Sequence, residues 1–268
     1  MFSLVAGTGY TGCRVLERLP ANAAGINSDS MNLDAEDPLP VELPDRYAVL
    51  YTIPPAGGGD ARLPHFLSTL QPAPARFVYI STTGVYGDCR GARVTENSPV
   101  DAAGKLSRAR LAAENLLQEW AAQEDCDLII LRVPGIYGPG RLPTQRLSEG
   151  GTFLTDEDAS PGNRIHVDDL TSCCIAALDD DAAGGIYNVG DGDQRSATWF
   201  AQEVARQADL PEPRLISRAR AEVEFSAIRL AFMSSSRIVD TTKMREVLGV
   251  TPRYSNPEDG IRASLAQS

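Results

Sequence analysis

Residues 2–19, FSLVAGTGYTGCRVLERL, run from a short apolar stretch with the texture of a β-strand, through three glycines, into a helical pattern. Each glycine has its own physical task. Gly7 permits a tight turn, Gly9 lets the backbone approach a pyrophosphate, and Gly12 lets strand and helix pack closely, while the helix start offers amide donors and the positive end of its dipole. A G-x-G-x-x-G string alone is weak. Here a strand precedes it, a helix follows it and it sits at the amino-terminal end, so the stretch reads as a dinucleotide-binding turn with contacts from Gly7, Thr8, Gly9, Tyr10, Thr11 and Gly12.

Counting onward, a second strand should end near Gly25-Ile26-Asn27, which leaves Asn27, Ser28 and Asp29 beside an adenosine ribose, with Asp34 a little further on. Asp29 lies 17 residues past Gly12, close to where an acid accepts the ribose 2′-hydroxyl. Between Leu19 and Asp45 there are six acids and no Lys or Arg, so a 2′-phosphate finds no counter-charge in this segment. The expectation is NAD(P) as cofactor with NAD favoured, and Arg14 is the residue able to reverse that preference.

Further along, YAVLYTIPP, ARFVYIST and DLIILRVPG alternate with helical patterns, including one from Lys105 to about Gln123 whose apolar positions Leu106, Leu111, Ala113, Leu116, Leu117 and Trp120 fall near helical spacing. This is the pattern of βαβ units. It predicts an α/β fold, a doubly wound parallel sheet of the Rossmann kind with a small C-terminal α/β unit. Residues 1–138 and 164–190 are expected to form the dinucleotide-binding domain, and residues 139–163 and 191–268 a smaller substrate-binding region. Strand ends near Thr52, Pro54, Ser81, Pro134, Gly135 and Ile136 are expected to line the nicotinamide side.

The 268 residues are 43% hydrophobic, enough for a sizeable core, and the formal net charge of −11 argues against binding nucleic acid. No apolar run approaches the roughly 20 residues that span a bilayer. The start MFSLVAGTG has no basic leader region, so a cytoplasmic protein without membrane contact is expected. Cys13, Cys89, Cys126, Cys173 and Cys174 show no metal-ligand spacing; they read as reduced thiols, and no metal is expected. Asp179, Asp180 and Asp181 read as a solvated helix end.

Several strings occur in order: GTGYTG, FVYISTTGVYGD, RLAAENLL, LRVPGIYGPGR, RIHVDDL and GGIYNVGDGD, followed by SSSRIVDTTKMREVLGVTPRY. Together they resemble the extended and atypical branches of the short-chain dehydrogenase/reductase superfamily, in particular the bacterial epimerase/dehydratase-like group of the YeeZ type. The resemblance implies a Ser or Thr acting with a Tyr and a Lys spaced Y-x-x-x-K, whose ammonium lowers the phenol pKa from about 10 for proton exchange with a substrate. It places Thr82 at the Ser/Thr position, Leu106 at the Tyr position and Arg110 at the Lys position. No shift of register restores the pair. Lys105 and Lys243 are the only lysines, and Asp101 and Val239 stand four residues before them.

An arginine in that place is no base, because a guanidinium does not give up its proton in proteins. Arg110 can donate to ribose hydroxyls, or else pair with Glu114 on the same helix face. For chemistry the candidates are Thr82, to orient a substrate oxygen, and Tyr86, to supply a proton, against a packed-aromatic reading of Tyr86. Tyr137, His166, His65 and Cys89 are weaker candidates: His166 reads as a structural join, His65 as packing or surface, and Asp168 and Asp169 as helix caps. Arg141, Arg146, Arg164 and Arg237 could clamp a phosphate or carboxylate of a small-molecule substrate, and the resemblance suggests a nucleotide sugar and a homodimer through the long helix. The function expected is an oxidoreductase or epimerase with an altered proton donor; the rival is a non-catalytic NAD(P)-binding sensor.

Overall fold

A computed structural model describes residues 1–34, 37–56, 61–225, 230 and 235–267. Six parallel strands form the central sheet: β1 (Phe2–Ala6), β2 (Ala23–Ile26), β3 (Tyr47–Tyr51), β4 (Arg76–Thr82), β6 (Asp127–Val133) and β10 (Gly185–Asn188). Their order is β10-β6-β4-β3-β1-β2. All five residues of β3 are buried, as expected for a strand covered on both faces.

Helices cover both faces. On one, α1 (Tyr10–Arg18) and α5 (Val167–Leu178) bring Val15, Leu170, Cys173, Cys174 and Ala177 against Val5, Leu50, Val78 and Ile129. On the other, α2 (Arg62–Ser68) and α3 (Lys105–Gln123) set Leu63, Phe66, Leu67, Leu117 and Ala121 against Leu4, Val49, Phe77 and Ile130. The expected doubly wound sheet is the observed one. From β1 the chain first moves outward to β2 and then returns to build the opposite half, so the topological switch point lies between β1 and β3. Ligands of open α/β sheets bind beside the carboxyl ends of the strands at that point.

Smaller pairs surround the sheet: β5 (Arg93–Val94) with β12 (Ile238–Val239), β7 (Gly135–Tyr137) with β9 (Arg164–His166), and β8 (Thr152–Leu154) with β11 (Arg214–Ile216). The excursion after Tyr137 is less irregular than its composition suggests, because it contains α4 (Thr144–Ser148) as well as β8. Leu147 and Phe153 from this excursion pack with Ala201 and Val204 of α6 (Ala197–Gln207). A second small core joins Leu154, Ile216 and Ala221, the last from α7 (Arg218–Glu224). Helix α8 (Thr242–Glu246) turns back, and its Met244, with Leu248 and Val250, enters the core of the main sheet. Helix α9 (Pro257–Leu265) closes the C-terminal cluster through Ile261. The C-terminal segment therefore serves both halves, and a boundary drawn at residue 191 is crossed by α8.

Candidate cofactor site and active site

The three turn glycines separate by what surrounds them. Gly7 has φ +98°, and a Cβ there would lie 2.5 Å from Thr52 Oγ1 and 2.8 Å from Ile53 Cγ1. At Gly12 a Cβ would collide with the Gly7 carbonyl oxygen. Both are fixed by the chain's own packing. A Cβ on Gly9 would meet nothing within 4 Å, and Gly9 is the N-cap of α1 with no side chain capping the helix. The open side of the cradle is thus the side a pyrophosphate would approach, where the first-turn amides of a helix lack intrahelical acceptors.

Thr52 holds this turn from beneath, its hydroxyl donating to the Gly7 carbonyl at 2.6 Å. Its contribution is to shape the cradle. Thr8 lies within the same turn and Thr11 is buried in the first turn of α1, and Pro54 accepts a hydrogen bond from Arg62 at 2.8 Å through its carbonyl. At the end of β2 the Asn27 side chain accepts from the amides of Asp29 at 2.9 Å and Ser30 at 3.1 Å, which leaves Ser28 and the Asp29 carboxylate exposed. Asp34 faces Arg62 at 3.9 Å. Arg62 is a cation delivered by α2, outside the acidic segment between Leu19 and Asp45.

On the nicotinamide side, Thr82 ends β4, and its hydroxyl accepts from the Gly84 amide at 3.1 Å, so its own proton remains to be donated. Leu106, at the position of the family tyrosine, is 70% exposed. Arg110 donates to the Ile80 carbonyl at 2.6 Å and to Tyr79 Oη at 3.1 Å. The alternative pairing of Arg110 with Glu114 is not made. Glu114 is buried, bonded to Ser81 Oγ and paired with Arg132 at 2.7 Å. Pro134, Gly135 and Ile136 follow the end of β6, at the carboxyl edge as expected.

Several candidates are corrected by these contacts. Ser81 turns inward to Glu114 and is 3% exposed, so its side chain does not face a cofactor. Tyr86 is 2% exposed and donates to Asn188 Oδ1 at 2.7 Å; burial pushes its phenol above the ordinary value, and the packed-aromatic reading describes it. Arg164 is buried against Asp193 at 3.1 Å, and Arg146 stacks 4.0 Å over Phe153 while bonding the Thr152 carbonyl. Both arginines make their contacts within the C-terminal unit. Arg237 bonds the Gly87 carbonyl and Ser235, and its Nε is buried with no partner among the described residues. Arg141 is exposed and lies 3.9 Å over the Tyr10 ring, at the glycine turn.

Tyr137 and His166 are buried, their rings 5.2 Å apart, and His166 caps α5 by accepting from the Asp168 amide. Asp169 does not act as a cap: it accepts from the amides of Arg253 at 2.7 Å and Tyr254 at 3.0 Å, tying α5 to the C-terminal segment. His65 packs with its ring nitrogen on the Asp37 carbonyl at 3.0 Å. Cys89 is half-buried and Asp180 pairs with Arg46 at 2.9 Å. Among the described residues no helix is long and apolar enough to cross a membrane.

A glycine cradle at the switch point of a parallel, doubly wound sheet defines a nucleotide-binding Rossmann architecture. Residues 57–190 match the model of the NAD dependent epimerase/dehydratase family, and the chain belongs to that family. The match begins after the glycine turn, so the cradle stands on its own geometry. Protein YeeZ of Escherichia coli is 25% identical over 189 residues, 68% of this chain and 60% of that protein. A functionally unknown conserved protein from Silicibacter pomeroyi has the same fold at TM-score 0.80 and 28% identity, covering 100% of this chain and 99% of that one. UDP-glucose 4-epimerase of Thermotoga maritima, solved with UDP-glucose, superposes at TM-score 0.77 with 17% identity over 100% of this chain and 98% of that one. The chain spans 53% to 60% of the length of the first curated relatives it matches.

Proposed function

We propose that the chain binds NAD in preference to NADP at the Gly7–Gly12 turn and receives an anionic small molecule, such as a nucleotide sugar, between the strand ends and the C-terminal unit. The observation that carries this reading is the open face of Gly9 beside two glycines whose space the chain itself fills. The preference for NAD is supported on the adenosine side. Asp29 is exposed for a 2′-hydroxyl, Arg62 is already engaged by Asp34 and the Pro54 carbonyl, and Arg14 donates to the Tyr10 carbonyl at 3.0 Å.

When bound, the cofactor supplies hydride transfer. This chain's own residues would hold it and orient a substrate: the glycine turn takes the diphosphate, Arg110 donates toward the ribose, and Thr82 donates to a substrate oxygen. No side chain at position 106 exchanges a proton. A positioned general acid contributes about 10²- to 10⁴-fold in rate, so turnover through Thr82 and water is slow by that margin. The exposure of Leu106 and the burial of Tyr86 favour a second reading, a cofactor-binding sensor without turnover. Absorbance of the bound nicotinamide during incubation with sugar nucleotides decides between them. Turnover that Thr82→Ala abolishes supports the enzyme, whereas tight NAD binding with no turnover, and a partner that distinguishes NAD from NADH, supports the sensor.

A further inference from the structure

Arg14 and Arg141, which come from α1 and from the segment after β7, meet on a single phenol. The Arg14 guanidinium carbon lies 4.4 Å from the Tyr10 ring centre and that of Arg141 lies 3.9 Å from it. Tyr10 is itself anchored: its hydroxyl donates to the Pro139 carbonyl at 3.0 Å, and its own carbonyl accepts from Arg14 at 3.0 Å. Gly138 makes room for this contact, since a Cβ there would lie 2.6 Å from the Tyr10 hydroxyl. Among the described residues, the ion pairs engage other arginines and neither of these two.

Two cations on one ring, neither of them in an ion pair although the Asp168 carboxylate acts on the same phenol, repel each other, and near a protein surface that repulsion is only partly screened. An anion beside them removes it. The remaining arginines expected to bind substrate are committed otherwise: Arg164 to Asp193, Arg146 to the Thr152 carbonyl and Arg237 to Gly87. Arg141 alone of the four stands at the glycine turn with no carboxylate partner among the described residues.

We propose that Arg14 and Arg141 form a clamp for the cofactor's diphosphate, with Tyr10 as the fixed post between them, so that the Gly138–Arg141 segment closes on nucleotide and not on substrate. This rests on the reading that the turn takes a dinucleotide.

The test uses the full chain, with NAD and ADP titrated calorimetrically into wild type, Arg141→Ala and Arg14→Ala, and with trypsin cleavage at the Arg141–Leu142 bond followed by mass spectrometry. Loss of a charge-assisted hydrogen bond predicts about 10-fold weaker NAD and ADP binding in each variant. NAD is expected to slow cleavage after Arg141 in wild type. Wild type that binds both nucleotides while both variants keep its affinities, with cleavage unchanged by NAD, would overturn the clamp and leave the dinucleotide reading intact. Wild type that binds neither nucleotide would overturn that reading and the clamp with it.

Discussion

Glu114 and Arg132 face each other at 2.7 Å in the interior between α3 and β6, with the carboxylate wholly buried and the guanidinium 4% exposed. Ser81 on β4 donates to the same carboxylate, and the Arg132 guanidinium lies 4.8 Å over the Tyr86 ring. This network locks α3 onto the strand that ends in Thr82. Since Arg110 lies one helical turn before Glu114, the pair fixes the helix face that carries Arg110.

Removing one partner of a buried ion pair leaves an uncompensated charge, at a cost of about 3–5 kcal/mol. Glu114→Ala is therefore expected to lower the free energy of urea unfolding by that amount. The double substitution Glu114→Leu with Arg132→Met should cost much less than the sum of the single changes. Additive losses would show that the two residues do not act as a pair.

Gly9→Ala and Gly12→Ala should behave differently although they lie three residues apart. A methyl on Gly9 meets nothing in the chain, so stability should stay within about 0.5 kcal/mol while NAD affinity falls sharply. A methyl on Gly12 collides with the Gly7 carbonyl, so stability and affinity should fall together. Thermal melts with and without NAD measure both.

Asp191 and His166 predict a pH profile with two opposed slopes. Burial raises the Asp191 carboxyl to about 7, although Arg164 opposes the shift and Asp193 and Asp169 add to it. A carboxyl raised in the folded state stabilises most below its unfolded value, and that contribution is lost as pH rises from about 4 to about 7. Burial lowers His166 to about 4, against the pull of Asp168, so its neutral form loses stability as pH falls from about 6.5 to about 4. The two slopes offset each other in the wild type. Asp191→Asn should expose the histidine's slope, giving a variant whose melting temperature drops on acidification through this window more steeply than that of the wild type. Parallel profiles would contradict the assignment.

Leu106→Tyr combined with Arg110→Lys should add the missing proton-transfer pair at little cost in stability, because position 106 faces solvent. If the chain acts on a nucleotide sugar as proposed, its turnover is expected to rise by about 10²- to 10⁴-fold, read as cofactor absorbance. An unchanged rate would show that Thr82 and the bound nicotinamide are not aligned for this chemistry.

The glycine turn, the sheet and its strand ends are legible in the sequence because each depends on local pattern: a strand, three spaced glycines, a helix, and continuous apolar runs. The interior charges are not. Arg132 within the apolar run LIILRV is the one visible signal, since an arginine in a strand buried on both faces needs an acid, but nothing local names Glu114 as that acid. Arg146 and Arg164 read from the sequence as candidates for an anion clamp, and Tyr86 as either a proton donor or a packed aromatic; only long-range contacts with Phe153, Asp193 and Asn188 show where these side chains go. Helix α9 and the return of α8 to the main core carry no local signal, because short amphipathic pieces take their meaning from the surface they cover.

Whether the glycine cradle holds a dinucleotide is measured by calorimetric titration of the purified chain with NAD and NADP. Saturable binding of one NAD per chain, tighter than NADP and abolished by a bulky residue at Gly9, is the predicted result. Absence of heat from either dinucleotide, or affinity unaltered by that substitution, would contradict the assignment of the cradle.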